Sequence, residues 1–152
     1  SIKMGIPDIS GEMYLYLRDG HNNVSVKAEK DDAKYEIGED QRVVEHPIKL
    51  RICQVDKITP EPPNVLYVDK ETLNYPLLLR KWQKGDYFYP FGMKGKKKVS
   101  KFFKDEKMDI LAKQKQWLLC SGNQIVWVIG KRADDRFRVT RKTQEILKFT
   151  LL

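Results

Sequence analysis

One stretch, QWLLCSGNQIVWVIG (Gln116–Gly130), limits the fold more than any other. Two apolar arms, Trp117–Cys120 and Ile125–Ile129, flank Ser121-Gly122-Asn123-Gln124, the pattern of a β-hairpin closed by a glycine-containing turn. The second arm is apolar almost without interruption. Such a strand has no solvent side, so both of its faces must be covered. The chain is therefore expected to stack layers on this hairpin.

The rest of the sequence supplies strands more readily than helices. EMYLYLRDG alternates and ends on a turn signal at Asp19-Gly20, and NVSVKAE and AKYEIGED are brief strand candidates. PIKLRICQV sets Ile48, Leu50 and Ile52 on one face and Lys49 and Arg51 on the other, as a half-buried strand requires. Pro60, Pro62 and Pro63 then forbid a ladder, placing a connection at roughly 57–64. Val65–Val68 reads as a strand, Asp69 as the cap of a single turn over Lys70–Leu73, and Leu77–Leu79 as a strand running into Arg80-Lys81-Trp82. Helix signals come only later, with Ser100 as N-cap, Val99 as a staple residue and Phe103 turned inward. RFRVT and EILKFTLL alternate and are expected to close the sheets. The fold class expected is α+β and β-rich: a mixed β-sandwich with one short helix over residues 65–152, preceded by a small strand-rich segment, residues 1–64.

At 152 residues the chain suffices for one domain or two small ones, and its 41% apolar share fits a globular protein. No apolar run approaches the roughly 20 residues of a membrane span, and nothing at the start reads as a secretory signal. The chain opens on Ser1 rather than Met, and is read as a piece of a longer protein. Cys53 and Cys120 stand far apart without a CxxC, which suits buried thiols in a reduced cytoplasmic setting, one disulfide being the alternative. With His21 and His46 the only histidines beside two cysteines, a zinc site of ordinary composition is not expected.

Charge is divided along the chain. Residues 1–76 hold ten Lys and Arg against fourteen Asp and Glu, a net of −4; residues 77–152 hold nineteen against seven, a net of +12. A basic half of this strength favours polyanions, nucleic acid first and an acidic membrane surface second. Catalytic patterns are missing: there is no GxxxxGK[ST], GxSxG, HExxH or GxGxxG. Asp134-Asp135 is a carboxylate pair, but adjacent acids at a basic turn more often balance charge or cap.

Seven lysines crowd GMKGKKKVSKFFKDEK (Gly92–Lys107). An isolated lysine run is ordinarily a solvated face. Here basic residues recur after several strands, and if the strands pack side by side they meet on one rim: Arg80, Lys81, Lys94, Lys96, Lys97, Lys98, Lys101, Lys104, Lys131 and Arg132, with Arg136 and Arg138 behind them. Lysine's compact charge on a flexible stem suits phosphates whose placement varies. Glycines 92 and 95 are expected to bring backbone N–H groups near a phosphate, and a helix beginning after Ser100 to add its partial positive charge. Among the aromatics, Trp117, Trp127, Phe88 and Phe137 sit in apolar contexts and are assigned to the core. Trp82 and Tyr87, flanked by charges, are the candidates for stacking on bases. Of Tyr87, Phe88, Tyr89 and Phe91, at least two must pack.

The pattern formed by Pro76-Leu77, Arg80, Gly85-Asp86, Phe88, Pro90, Gly92-Met93, the lysine turn, Ser100, Asp105, Trp127–Gly130 and Arg132 closely resembles the C-terminal domain of bacterial tRNA(Ile)-lysidine synthetases. The resemblance covers about residues 65–150; residues 1–64 carry no assignable motif and correspond to the region linking to this domain. It implies a non-catalytic part of an enzyme that uses ATP, with Mg, to attach lysine to the wobble cytidine of an isoleucine tRNA with a CAU anticodon. It also implies that this part grips the tRNA body, notably the acceptor stem. The family's SGGxDS phosphate loop is missing; the nearest string, Ser121-Gly122-Asn123, belongs to the hairpin turn. Where the family pattern leads one to expect an arginine after the helix, this chain has Lys113 and Lys115, point charges in place of a bidentate fork. Two other readings stay open: an interaction module that dimerises through its oppositely charged halves, and an enzyme in its own right.

Overall fold

The computed structural model describes residues 33–60 and 63–152 in full, and the backbone of residues 2–4, 13–19 and 22–28. The chain forms two compact units, Ser1–Asp32 and Ala33–Leu152. In the first, β1 (Ile2–Met4), β2 (Met13–Asp19) and β3 (Asn22–Ala28) form an antiparallel meander in the order β1-β2-β3. The turn expected at Asp19-Gly20 falls partly outside the described residues.

The second unit is a sandwich of two sheets. One is built from β4 (Tyr35–Ile37), β8 (Leu77–Lys81), β11 (Trp117–Ser121), β12 (Gln124–Val128) and β13 (Arg132–Ala133), in the order β13-β12-β11-β8-β4. The other joins β5 (Val43–Val44), β6 (Leu50–Val55), β7 (Val65–Asp69) and β14 (Ile146–Leu151), in the order β5-β6-β14-β7. Every strand pair among the described residues is antiparallel. A two-stranded ribbon, β9 (Tyr87–Phe88) with β10 (Lys97–Lys98), leads into helix α1 (Val99–Asp105), and α2 (Ile110–Lys115) returns the chain to β11. A second short helix thus accompanies the one expected. The boundary expected between residues 64 and 65 lies inside this unit. There β4 pairs with β8 and β6 with β14, so residues 33–55 supply strands to both sheets.

The hairpin at Trp117 is covered on both sides, as its composition demands. Leu119, Val126, Trp127 and Ile129 join Leu77 and Leu79 in a core shared with the second sheet, which contributes Leu50, Ile52, Leu66, Val68, Leu147 and Phe149. On the opposite side, Leu118, Cys120, Ile125 and Val128 pack with Phe88, Val99, Phe102 and Phe103. The register shifts between Leu119 (opposite Trp127) and Cys120 (opposite Ile125), leaving Val126 as an extra residue. This bulge turns both Val126 and Trp127 toward the first core, an arrangement that strict alternation forbids. The hairpin turn is closed by Gly122, whose φ of 58° lies in the left-handed region that glycine enters at least cost.

Two local expectations are corrected. Helix α1 starts at Val99, with Lys98 in the cap position and no side-chain cap, so Ser100 lies within the first turn. Burial of Val99, Phe102 and Phe103 fixes the start, outweighing a serine cap worth about 1 kcal/mol. RFRVT is not a strand. Asp134 accepts the Arg136 N–H and opens a 3₁₀ turn over Asp135–Phe137, which drops Phe137 into the core. The cap expected at Asp69 is present over Lys70–Thr72. Both cysteines are free, and burial pushes the Cys120 thiol up to about 11.

Phe103 is fully buried between α1 and the sheet. Phe103→Ala is expected to cost about 3–5 kcal/mol in urea unfolding, whereas Val43→Ala, at a strand residue 47% exposed, should stay within about 0.5 kcal/mol.

Candidate nucleic-acid interface

The basic segment is mounted on two buried or nearly buried carboxylates. The first is Asp86. The Arg80 guanidinium donates to both of its oxygens, at 2.8 and 3.1 Å, from the end of β8. The Gln83 N–H donates to the same carboxylate at 2.7 Å, and the Val99 N–H donates to the Asp86 carbonyl at 2.9 Å. One residue thereby ties the end of β8, the turn through Gly85 (φ 93°) and the start of α1.

The second is Asp134, 2% exposed. It accepts the Tyr89 N–H at 2.9 Å and the Arg136 N–H at 2.7 Å, and the Arg136 guanidinium forks onto both oxygens at 3.0 and 2.9 Å. The Asp135 N–H donates to the Tyr89 carbonyl at 2.7 Å, and the Phe91 N–H to the Ala133 carbonyl at 2.9 Å. The Arg132 guanidinium donates to the Phe91 carbonyl at 3.0 Å. Residues 89–91 are thus sewn to the edge of the five-stranded sheet. The carboxylate pair noted in the sequence caps and balances charge.

Between these anchors the chain bulges outward through Gly92 (φ 82°) and Gly95 (φ 75°) and returns as β10, with Lys97 opposite Phe88 and Lys98 opposite Tyr87. The result is an open cleft of about 670 Å³. Its lining includes the apolar Tyr87, Pro90 and Met93, the cationic Lys94, Lys96, Lys97, Lys98 and Lys101, and Asp105. The Lys97 ammonium pairs with Asp105, and this hydrogen bond is the main reason the Asp105 carboxyl is held below the usual carboxylate range. The Lys96 ammonium stands over the Tyr87 ring, 4.8 Å from its centre.

The ten cations expected on one rim divide into groups. Lys94, Lys96, Lys97, Lys98 and Lys101 are brought together in the cleft. Lys104 is exposed one turn farther along α1, and Lys131 is exposed in the turn after β12. Arg132 supports the neighbouring loop. Arg80 is directed inward onto Asp86, and Lys81 reaches the Gln114 carbonyl while lying 4.6 Å from the centre of the Trp117 ring. At the N-terminus of α1 the Val99 N–H is engaged by the Asp86 carbonyl. Of the two stacking candidates, Trp82 packs edge-on against Phe103 at 5.4 Å, while Tyr87 is 46% exposed at the cleft. Phe88 is buried and Tyr89 lies beneath Arg136, so two of the four loop aromatics pack and Tyr87 and Phe91 remain exposed. Met93, 45% exposed in the cleft wall, was not assigned a ligand contact from the sequence; its signals are its place between two left-handed glycines and its part, with Gly92, in the family pattern.

The Ser121 hydroxyl, in the string nearest to SGGxDS, is 1% exposed and accepts the Asn74 N–H at 2.7 Å, so it does not fit a nucleotide phosphate. Among the described residues no cluster of three or more His, Cys, Asp or Glu is arranged to hold a metal ion, and no helix is long and apolar enough to cross a membrane.

Residues 77–149 match the family model described as the TilS substrate C-terminal domain. The chain is 40% identical over 124 residues to the tRNA(Ile)-lysidine synthase of Parabacteroides distasonis, an alignment covering 78% of this chain and 28% of that protein. It is 45% identical over 84 residues to the Bacteroides thetaiotaomicron tRNA(Ile)-lysidine synthase, covering 55% and 20%. Against the Clostridium tetani tRNA(Ile)-lysidine synthase it is 29% identical over 145 residues, covering 93% and 30%. The chain therefore spans less than a third of the length of these curated relatives. Among solved structures, the crystal structure of a TILS C-terminal domain superposes with a TM-score of 0.64, covering 79% of this chain and 98% of that one. At 18% identity, that likeness is one of fold.

The Arg80–Asp86 pair is expected to act through stability. Asp86→Ala or Arg80→Ala should each cost about 3 kcal/mol in denaturant unfolding, and the double variant clearly less than the sum, because each single change strands a mostly buried charge.

Proposed function

The chain carries the C-terminal domain of the tRNA(Ile)-lysidine synthase family, and from that premise we propose that it is a non-catalytic part that grips the body of a tRNA through its lysine cleft. The observation that carries this reading is convergence. Five lysines from the glycine loop, β10 and α1 line one cleft, on a loop fixed at both ends by hydrogen-bonded carboxylates. The function follows from elementary electrostatics. Phosphates in an RNA helix carry condensed counterions, and each ammonium that replaces them releases ions to solvent. The deep, narrow major groove of A-form RNA hides its base edges, so contacts to backbone and 2′-hydroxyls dominate.

On this reading the whole protein attaches lysine to the wobble cytidine of an isoleucine tRNA with a CAU anticodon. ATP and Mg serve a catalytic region bearing the SGGxDS loop that this sequence lacks. The present residues supply grip, notably on the acceptor stem.

Replacing Lys96, Lys97 and Lys98 together by Gln should weaken tRNA binding and reduce the slope of log K against log salt by about two to three, roughly one unit for each phosphate no longer neutralised. An unchanged slope in a salt titration would show that the run only solubilises the chain. Because phosphate contacts carry no direct sequence information, the chain alone should bind unrelated tRNAs with affinities within about tenfold of one another. A filter-binding comparison of isoleucine and methionine tRNAs checks this, and strong preference for either contradicts it.

A further inference from the structure

We propose that the same cleft receives one unpaired nucleotide flanking the RNA helix, its base lying against Tyr87 and Met93 and its phosphates among the lysines. The inference rests on the RNA-binding reading above and extends it from charge to stacking. Tyr87, Phe91 and Met93 are 46%, 50% and 45% exposed, so three of the large apolar side chains left open to solvent belong to a single loop. Tyr87 and Met93 line the cleft itself, together with five lysines. Solubility explains the lysines but not the apolar residues beside them, which cost free energy in water unless a ligand covers them. A ligand that satisfies both kinds of side chain has a flat apolar face joined to an anion, which is the chemistry of a nucleotide.

Its pairing state follows from the shape of the site. At about 670 Å³ the cleft has the dimensions of a small-molecule site, roughly 300–1,000 Å³, so its interior suits one nucleotide while the exposed Lys94, Lys96, Lys98 and Lys101 stay open to the backbone of a flanking helix. Bases within a helix present no free face, whereas an unpaired base can be laid on an aromatic ring. Lys96 stands over the Tyr87 ring in the free chain. An arriving base replaces it there, and the ammonium, on its flexible stem, moves to the phosphate. The ring is thus covered by a cation before binding and by a base afterward. The loop is held by hydrogen bonds from Tyr89 and Phe91 to the sheet edge, so the platform is preformed and little ordering is needed on binding.

The test compares fluorescently labelled RNA hairpins, blunt or carrying a short single-stranded overhang, by anisotropy with the chain. The overhang should tighten binding about tenfold, the effect of stacking a single base. Tyr87→Ala should cost the overhanging hairpin about tenfold more than the blunt one, removing the advantage of the overhang; Tyr87→Trp should retain it. Thermal unfolding of each variant shows whether the fold is intact, and retention by Tyr87→Trp separates stacking from loss of structure. Equal binding of blunt and overhanging hairpins overturns this inference and leaves the phosphate reading standing. So does an equal loss on both hairpins with Tyr87→Ala. Failure of the chain to bind either hairpin overturns both.

Discussion

The structure depends on burial of the β11–β12 hairpin from two sides. Its inner face closes the sandwich against Phe149, Leu147 and Ile52. Its outer face requires a second cover, and Phe88, Val99, Phe102 and Phe103 supply it. Those four residues lie at the two ends of the lysine loop, so the apolar contact that completes the sheet also holds the cationic segment in place. The site is a consequence of the second core: Phe88 opposite Lys97 and Val99 directly after Lys98 leave the intervening chain only outward space. Function and stability therefore share residues. A substitution that loosens α1 disperses the charges even if it removes none of them.

What the sequence disclosed was local. The hairpin, the strands at Leu50, Val65 and Ile146, and the cap at Asp69 are written in period-two patterns and single turn residues, which need no knowledge of distant partners. The pairing of β4 with β8 joins residues some forty positions apart in the chain, and alternation in AKYEIGED names no partner. RFRVT alternates as a strand does, yet Asp134 closes it into a turn because a carboxylate buried under Arg136 and Tyr89 outweighs strand propensity. Ser100 has the composition of a cap but loses the position to the burial of Val99 one residue earlier. Within the site, the lysines were visible as a run and were expected on a rim with Arg80, Lys81, Lys131 and Arg132, but which of the ten would share a cleft was not legible. That depends on two left-handed glycines and on an ion pair between Arg80 and Asp86, which in sequence read as one more cation and one more acid.

The cations around the loop are sorted by the shape of their head groups. Arg80, Arg132 and Arg136 direct their guanidinium groups into the protein, onto Asp86, the Phe91 carbonyl and Asp134. A planar fork fits such fixed acceptors and loses little freedom in doing so. The cleft is instead lined with lysines, whose ammonium heads are compact, strongly hydrated and free to shift with the partner. Had arginines lined it, bidentate fits to particular base edges would be available and the surface would lean toward reading sequence. With lysines, the proposed RNA contact is one of charge and backbone path. The Lys97–Asp105 pair moderates even that, since an anion entering the cleft must compete with a carboxylate already there. On the proposed reading, a grip of this kind admits any RNA of suitable shape, and discrimination among tRNAs comes from elsewhere in the whole protein or from a contact that charge does not provide. On the same reading, the apolar lining at Tyr87, Pro90 and Met93 is where the chemistry of the cleft favours a base over a phosphate.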